Sequence, residues 1–138
     1  MEEVVSREFL LNGNVDVILN IIDGSNLERN LFLTTQLLEL GIPTVVAINM
    51  LDVIEKRKDT IDYKKLSKEL ECPVLLISAL KNTGIKELMV AVKKAANTQC
   101  KPKNIYAGKV LNALNTIETS LPTSIDTNRR FFYAVKIV

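Results

Sequence analysis

Apolar runs and turn residues alternate along most of the chain. Three runs are almost continuous in aliphatic and β-branched residues, which is typical of strands buried on both faces of a parallel sheet. They cover Val15–Ile22, Thr44–Ile48 and Val74–Ile77. Apolar positions spaced three and four apart predict helices between these runs, after a first amphipathic helix over Glu3–Leu11. This alternation, in units of about 30 residues, indicates βαβ crossovers and an α/β fold with a parallel sheet.

A few residues predict where these helices begin and end. Ser25 followed by Glu28 forms a capping-box pattern, which predicts a helix with Ser25 as its N-cap. Gly41 suits the position just after the end of that helix. Asp62 is expected to cap a later helix, and Thr83-Gly84 to open the last helix of this part of the chain.

The pattern changes after Thr98, so we predict two units, residues 1–99 and residues 100–138. Lys101–Asn104 reads as a linker. Beyond it, apolar spacing predicts one helix over Val110–Leu121 and another from Arg129 to Val138. The second unit is therefore expected to be helical.

Composition narrows the functional classes. Apolar residues make up 47% and charged residues 25%, as in soluble globular proteins. A formal charge of +2 argues against nucleic acid as a partner bound by bulk electrostatics. The absence of histidine excludes a histidine general base and any histidine-ligated metal. Two cysteines are too few for a disulfide scaffold or a metal cluster.

Hydropathy gives no sign of a membrane segment. No apolar run approaches the ~18 residues that a membrane helix needs. The first residues are acidic, whereas a signal peptide begins with positive charge. We therefore expect a soluble, cytoplasmic chain.

Polar residues follow each predicted strand, where open parallel sheets bind ligands. The three strand ends are Asp23-Gly24, Asn49–Asp52 and Ser78-Ala79. An amide and a carboxylate three residues apart can address one planar ligand. The carboxylate of Asp52 can accept from two adjacent N–H donors, which guanine offers and adenine does not. The loop at Ser78-Ala79 can add backbone N–H groups for the guanine O6.

The same spacing also suits a purely structural role. Asn49 and Asp52 can form a turn and bond to nearby backbone groups, and the spacing does not decide between the two interpretations. For Asp23, a role as a helix cap is favoured over contact with a ligand.

Two short motifs resemble those of regulatory GTPases. Asn49-Met-Leu-Asp52 is similar to N-K-x-D, and Ser78-Ala79 is similar to the start of S-A-K. The whole stretch Val15–Asp52 resembles the G domain of the ferrous iron transport protein B (FeoB) family. Asn26–Leu31 and the Met in place of the usual Lys are typical of that family. The linker and tail of this chain, including Arg129–Val138, resemble the helical domain of that family.

The resemblance implies a P-loop GTPase-like, three-layer α/β fold with a parallel sheet, followed by α-helices. It also implies that GTP or GDP binds through its guanine base, with Met50 near the ring face. Leu80 stands where S-A-K has its Lys. The implied contact residues are Asn49, Met50, Asp52, Ser78 and Ala79.

The 138 residues lack the motifs that hold phosphate. No G-x-x-x-x-G-K-[ST] is present, and Gly108-Lys109 does not qualify. The family's D-x-x-G motif and first strands are also absent. The resemblance therefore implies an incomplete G domain of a transporter at the cytoplasmic face of the membrane. Mg²⁺ would bind only in the parent protein, and we assign no catalytic or metal residue here.

We expect no GTP hydrolysis by this chain alone, weak guanine binding, and either self-association or dependence on the missing N-terminal part. Its other partner would be the parent's membrane domain. One alternative is a non-catalytic remnant that acts as a protein-interaction module. Another is a fragment of a different soluble GTPase family, against which Asn26–Leu31 and the helical tail count.

Overall fold

The computed structural model describes residues 2–99, 107–125 and 127–137. Within these ranges lie three strands, β1 (Ile18–Asp23), β2 (Thr44–Asn49) and β3 (Val74–Leu76). The α-helices are α1 (Glu2–Asn12), α2 (Leu27–Leu38), α3 (Leu51–Lys56), α4 (Tyr63–Leu70), α5 (Ile85–Ala96), α6 (Gly108–Ser120) and α7 (Thr127–Ile137). A 3₁₀ turn over Gly24–Asn26 precedes α2.

The strands form one parallel sheet in the order β1-β2-β3. Ile18 pairs with Thr44, and Val46 pairs with Val74. Strand order therefore follows chain order, with a helical crossover between successive strands. This arrangement confirms the predicted α/β class with a parallel sheet.

The central strand β2 carries the core on both of its faces. Val45, Val46, Ala47 and Ile48 are completely buried, because successive side chains of a strand point to opposite faces. Val46 and Ile48 pack with residues of α2, α3 and α4, while Val45 and Ala47 pack with residues of α5. The molecule therefore has the predicted three layers, with helices on both sides of the sheet.

The strand β1 differs from its prediction. It was expected to be buried on both faces, but only Ile18, Asn20 and Ile22 are buried. Leu19 is 38% exposed and Ile21 is 58% exposed. These two side chains lie on the α5 face of the sheet, and α5 packs on β2 instead of β1. The strand is therefore an edge strand with one partly open apolar face.

The capping-box prediction for α2 is wrong. The helix begins at Leu27 with Asn26 as its N-cap, one residue later than predicted. The carboxylate of Asp23 accepts from the backbone N–H of Ser25 at 2.8 Å and from its hydroxyl at 2.7 Å. Because the Ser25 hydroxyl is engaged there, a 3₁₀ turn forms first. Asp23 is thus a cap residue, as the favoured interpretation held.

Other predicted helix ends fare better. Asp62 accepts from the backbone N–H of Lys65 at 3.0 Å, which confirms it as the cap of α4. Gly84 has a φ of 77° and directly precedes α5, as predicted. Gly41 has a left-handed φ of 70°, but α2 already ends at Leu38, so this glycine belongs to the following turn.

The two tail helices pack on each other through buried Leu114, Phe131 and Ala134. Phe132 of α7 joins a cluster with Leu11 and Ile18, which brings the tail against α1 and the edge of the sheet. The proposed linker Lys101–Asn104 lies outside the described residues, and the division at residues 99 and 100 stays a prediction. Within the described ranges, no helix has the length and hydropathy to cross a bilayer.

Candidate functional site

Two loops meet at the carboxyl end of the sheet. The first loop covers Asn49–Asp52, and the second covers Ser78–Thr83. Asn49 is the last residue of β2, and Asp52 lies in the first turn of α3. The side-chain Oδ1 of Asn49 accepts from the backbone N–H of Ala79 at 3.0 Å. The Oδ1 of Asp52 accepts from the hydroxyl of Ser78, also at 3.0 Å. Each predicted polar residue of the first loop is thus bonded to a predicted residue of the second.

A sharp turn at Met50 makes this geometry possible. Its backbone is left-handed, with φ 71° and ψ 29°, a conformation that costs a residue with a side chain about 1–3 kcal/mol. The backbone carbonyl of Met50 accepts from the N–H groups of Val53 and Ile54 and so starts α3. Leu51 donates its N–H to Ile77 O at 3.2 Å, which ties the turn to the neighbouring loop. The Met50 side chain is 40% exposed.

The second loop is closed by Ser78. Its backbone exchanges two hydrogen bonds with Thr83, at 3.1 and 3.0 Å. Its hydroxyl donates to Asp52 and also accepts from the N–H of Lys81 at 3.2 Å. Ser78 is 2% exposed, whereas Leu80 at the tip of the loop is 87% exposed. The serine therefore fixes both its own loop and the carboxylate.

The two polar side chains offer opposite hydrogen-bonding groups. The amide oxygen of Asn49 is occupied by Ala79, so its NH₂ group remains as a donor. Asp52 is only 7% exposed, and Ser78 is the one donor that the described residues provide to it. A carboxylate can accept about four hydrogen bonds, so Asp52 keeps unused capacity. The first loop thus carries both a donor, the NH₂ of Asn49, and a buried acceptor, the carboxylate of Asp52.

The backbone N–H groups of Ser78 and Ala79 already have protein partners. Ser78 donates its N–H to Thr83 O, and Ala79 donates to Asn49 Oδ1. The expectation that this loop offers N–H groups to a carbonyl oxygen of a ligand stays a prediction. A ligand would have to share the Ala79 N–H with Asn49.

Asp23 is the last residue of β1 and lies beside this site, but its carboxylate accepts hydrogen bonds from Ser25 in the turn that follows. In the register of the sheet it is the partner of Asn49. Hydrogen bonds from the Ser25 hydroxyl and amide hold the pKa of the Asp23 carboxyl below its usual value of 3.8, with a smaller contribution from Arg57. The sequence placed Gly24 at the end of a strand but gave no sign that it lies against the first loop. A Cβ atom on Gly24 would be 2.8 Å from Asn49 O and 2.6 Å from Ile54 Cδ1.

Two clefts among the described residues lie away from these loops. One of about 680 Å³ is at the opposite end of the sheet, between α4, β3 and α5. Another of about 470 Å³ lies between α1, β1, α2 and α7. In the part of the chain that the structure describes, no three acidic or cysteine side chains are grouped as a metal site requires.

Comparison with protein families identifies the chain. The family model described as ferrous iron transport protein B matches residues 1–92. The chain belongs to this FeoB family. It is 36% identical over all 138 residues to the Fe(2+) transporter FeoB of Escherichia coli (strain K12), of which it covers 18%. It is 46% identical over 94 residues to FeoB of Salmonella typhimurium, of which it covers 12%.

Solved FeoB structures share the fold. The chain is similar to mGMPPNP-bound NFeoB from S. thermophilus, with a TM-score of 0.89 and 40% identity, over 99% of this chain and 51% of that one. It is also similar to the cytosolic domain of L. pneumophila FeoB, with a TM-score of 0.84 and 35% identity, over 96% of this chain and 53% of that one. The chain thus spans about half of these FeoB domains and less than a fifth of the curated FeoB transporters.

Proposed function

We propose that the chain is part of the GTP-binding domain of a FeoB-type ferrous iron transporter and that it binds the guanine base of GTP or GDP. The contact residues are Asn49, Met50, Asp52, Ser78 and Ala79. The observation that carries this proposal is the pair of cross-loop hydrogen bonds, which leaves a free donor on Asn49 beside a nearly buried acceptor on Asp52. Solved relatives with bound GMPPNP or GDP.AlF4- support a guanine nucleotide as the ligand.

The hydrogen-bonding pattern of guanine complements this arrangement. Asp52 accepts from the ring N–H and the amino group of the base, while the NH₂ of Asn49 donates to acceptors on the opposite edge. Adenine presents an acceptor where guanine has its ring N–H, so Asp52 would face a lone pair. A charge-assisted hydrogen bond contributes about 1.5–3 kcal/mol, and losing it disfavours adenine by at least about tenfold. Met50, exposed at the turn, lies against the ring face.

The phosphates receive no comparable support from this chain. Phosphoryl transfer depends on charge positioned around the phosphates, which P-loop enzymes supply through G-x-x-x-x-G-K-[ST]. The 138 residues contain no such motif. We therefore propose that Mg²⁺ and the phosphates are held by another part of the parent G domain. This chain alone binds nucleotide weakly and does not hydrolyse GTP above background.

The edge of β1 is the surface where we expect that other part to bind. The N–H of Ile18 donates to Pro43 O on the β2 side. Because successive residues of a strand alternate direction, the backbone groups of Leu19 and Ile21 point to the outer edge. We propose that the N-terminal part of the parent G domain pairs here. We also propose that the assembled domain lies at the cytoplasmic face of the membrane beside the transport domain. The same open edge supports the second candidate, a protein-interaction module.

Titration of the 138-residue chain with a fluorescent GDP analogue tests the base site. The wild-type chain should bind the analogue weakly, GDP should displace it and ADP should not. Asp52→Asn replaces one acceptor oxygen by a donor that faces the ring N–H, so affinity should fall at least about tenfold. Asp16→Asn is the control, because Asp16 is exposed and precedes β1 at the other end of the sheet. Equal affinities of the wild-type and Asp52→Asn chains would exclude the guanine assignment.

A further inference from the structure

We infer that Asn30 of α2 is a positioning residue for the first loop, Asn49–Asp52, which is called the guanine-binding loop below. This inference rests on the proposed function. The hydrogen bonds of Asn30 that the structure describes go to Asp23, Asn26 and Thr34, and not to the five proposed contact residues. Its side chain instead holds the Asp23–Asn26 segment, which lies directly behind the loop.

Asn30 clamps that segment through two backbone carbonyls. Its Nδ2 donates to Asn26 O at 2.8 Å and to Asp23 O at 3.5 Å. One amide group thus bridges the last residue of β1 and the last residue of the 3₁₀ turn. The Asp23 carboxylate closes the same turn by accepting from Ser25. The turn is therefore fixed from both sides.

The clamp is itself anchored in the core. The hydroxyl of Thr34 donates to the backbone carbonyl of Asn30 at 3.3 Å. The same hydroxyl accepts from Asn20 Nδ2 at 2.7 Å. Asn20 is a buried residue of β1, and Thr34 is completely buried. A continuous chain of hydrogen bonds therefore runs from the middle of β1 through α2 to the turn, and it prevents the turn from moving away.

The clamped turn contacts the guanine-binding loop through Gly24. The close approach of Gly24 to Asn49 O and Ile54 Cδ1 leaves no room for another atom between the two segments. Asn49 carries the free amide donor, and Ile54 lies on α3 together with Asp52. A shift of the turn therefore reaches both residues that recognise the base, and the shift should first loosen the 3.0 Å bond from Ala79 N–H to Asn49 Oδ1.

Asn30→Asp tests the clamp with almost no change in volume. The variant replaces the NH₂ donor by an oxygen that faces two carbonyl oxygens. The matched control is Asn97→Asp, because Asn97 makes the same type of bond, from its Nδ2 to Lys93 O at 3.1 Å, at the exposed end of α5. Two quantities are measured in the full 138-residue chain. They are amide hydrogen exchange at Ala79 without ligand and the affinity for a fluorescent GDP analogue.

In Asn30→Asp, exchange at Ala79 should accelerate about tenfold and affinity should fall about tenfold, with neither changing in Asn97→Asp. Unchanged exchange at Ala79, or an equal change in the control, would overturn the inference. If Asn30→Asp does not fold, Asn30→Ala removes the donor without adding charge and should give the same result. The wild-type chain could also bind no analogue while exchange at Ala79 still accelerates in Asn30→Asp. That result would refute the guanine site and support the positioning role of Asn30.

Discussion

At the scale of single residues, each proposed recognition group is oriented by a partner on the other loop. Ser78 fixes Asp52, and Ala79 fixes Asn49. The residue types and their places after the strands could be read from the sequence. Their mutual bonding could not, because it depends on the pairing of β2 with β3 and on the left-handed turn at Met50. The sequence also left open whether Asn49 and Asp52 serve structure or ligand. Their cross-loop hydrogen bonds show the structural role, and the ligand role stays a prediction.

Asp23 gives a prediction about pH at this scale. Its pKa in the folded chain is depressed, chiefly by the Ser25 hydroxyl and then by the Ser25 amide. Its contribution to stability is therefore complete above the unfolded value near 3.8 and is lost as pH falls through the lower folded value. Ser25→Ala removes the first cause, so the pKa of Asp23 should rise. NMR titration of the carboxyl group measures both values, and an identical titration curve in the variant would contradict this role of Ser25.

At the scale of elements, the hydrophobic pattern predicted the strands and crossovers well, and its failures have local causes. It placed β2 within one residue of its observed end, because that strand is apolar throughout and buried on both faces. The pattern of β1 is similar, yet Leu19 and Ile21 are partly exposed. An apolar run indicates that a strand is suited to burial, but it does not show which neighbouring elements cover that strand. Likewise, the start of α2 was displaced by the competing bond from Ser25 to Asp23.

The contrast between these two strands can be measured with one chemical change. Ile48 is completely buried in the cluster with α2 and α4, whereas Ile21 is 58% exposed. Ile48→Ala should lower the free energy of unfolding by about 2–5 kcal/mol, since it removes buried methyl groups and leaves a cavity. Ile21→Ala should change it by less than about 1 kcal/mol, because most of that side chain already contacts water. Urea unfolding of both variants gives the comparison, and similar losses would show that the α5 face of β1 is covered.

At the scale of the whole molecule, the chain spans about half of the FeoB domains that it resembles. That fact and the open side of β1 point to the same place, the outer edge of the sheet. Unpaired edge strands with exposed apolar side chains readily pair with another polypeptide. In the complete G domain we expect this position to be filled from within the same protein, and in the 138-residue chain it is available to a second copy.

The edge therefore predicts how the isolated chain behaves. Sedimentation velocity over a range of concentrations should show self-association of the wild-type chain. Ile21→Lys places a charge beside the unpaired edge and should shift the distribution towards monomer, as charged side chains protect natural edge strands. Val90→Lys is the control, because Val90 is 67% exposed on α5 and lies off the edge. A wild-type chain that stays monomeric at all concentrations, or equal effects of the two substitutions, would contradict association through β1. Loss of association in Ile21→Lys alone would identify the β1 edge as the surface through which the chain self-associates.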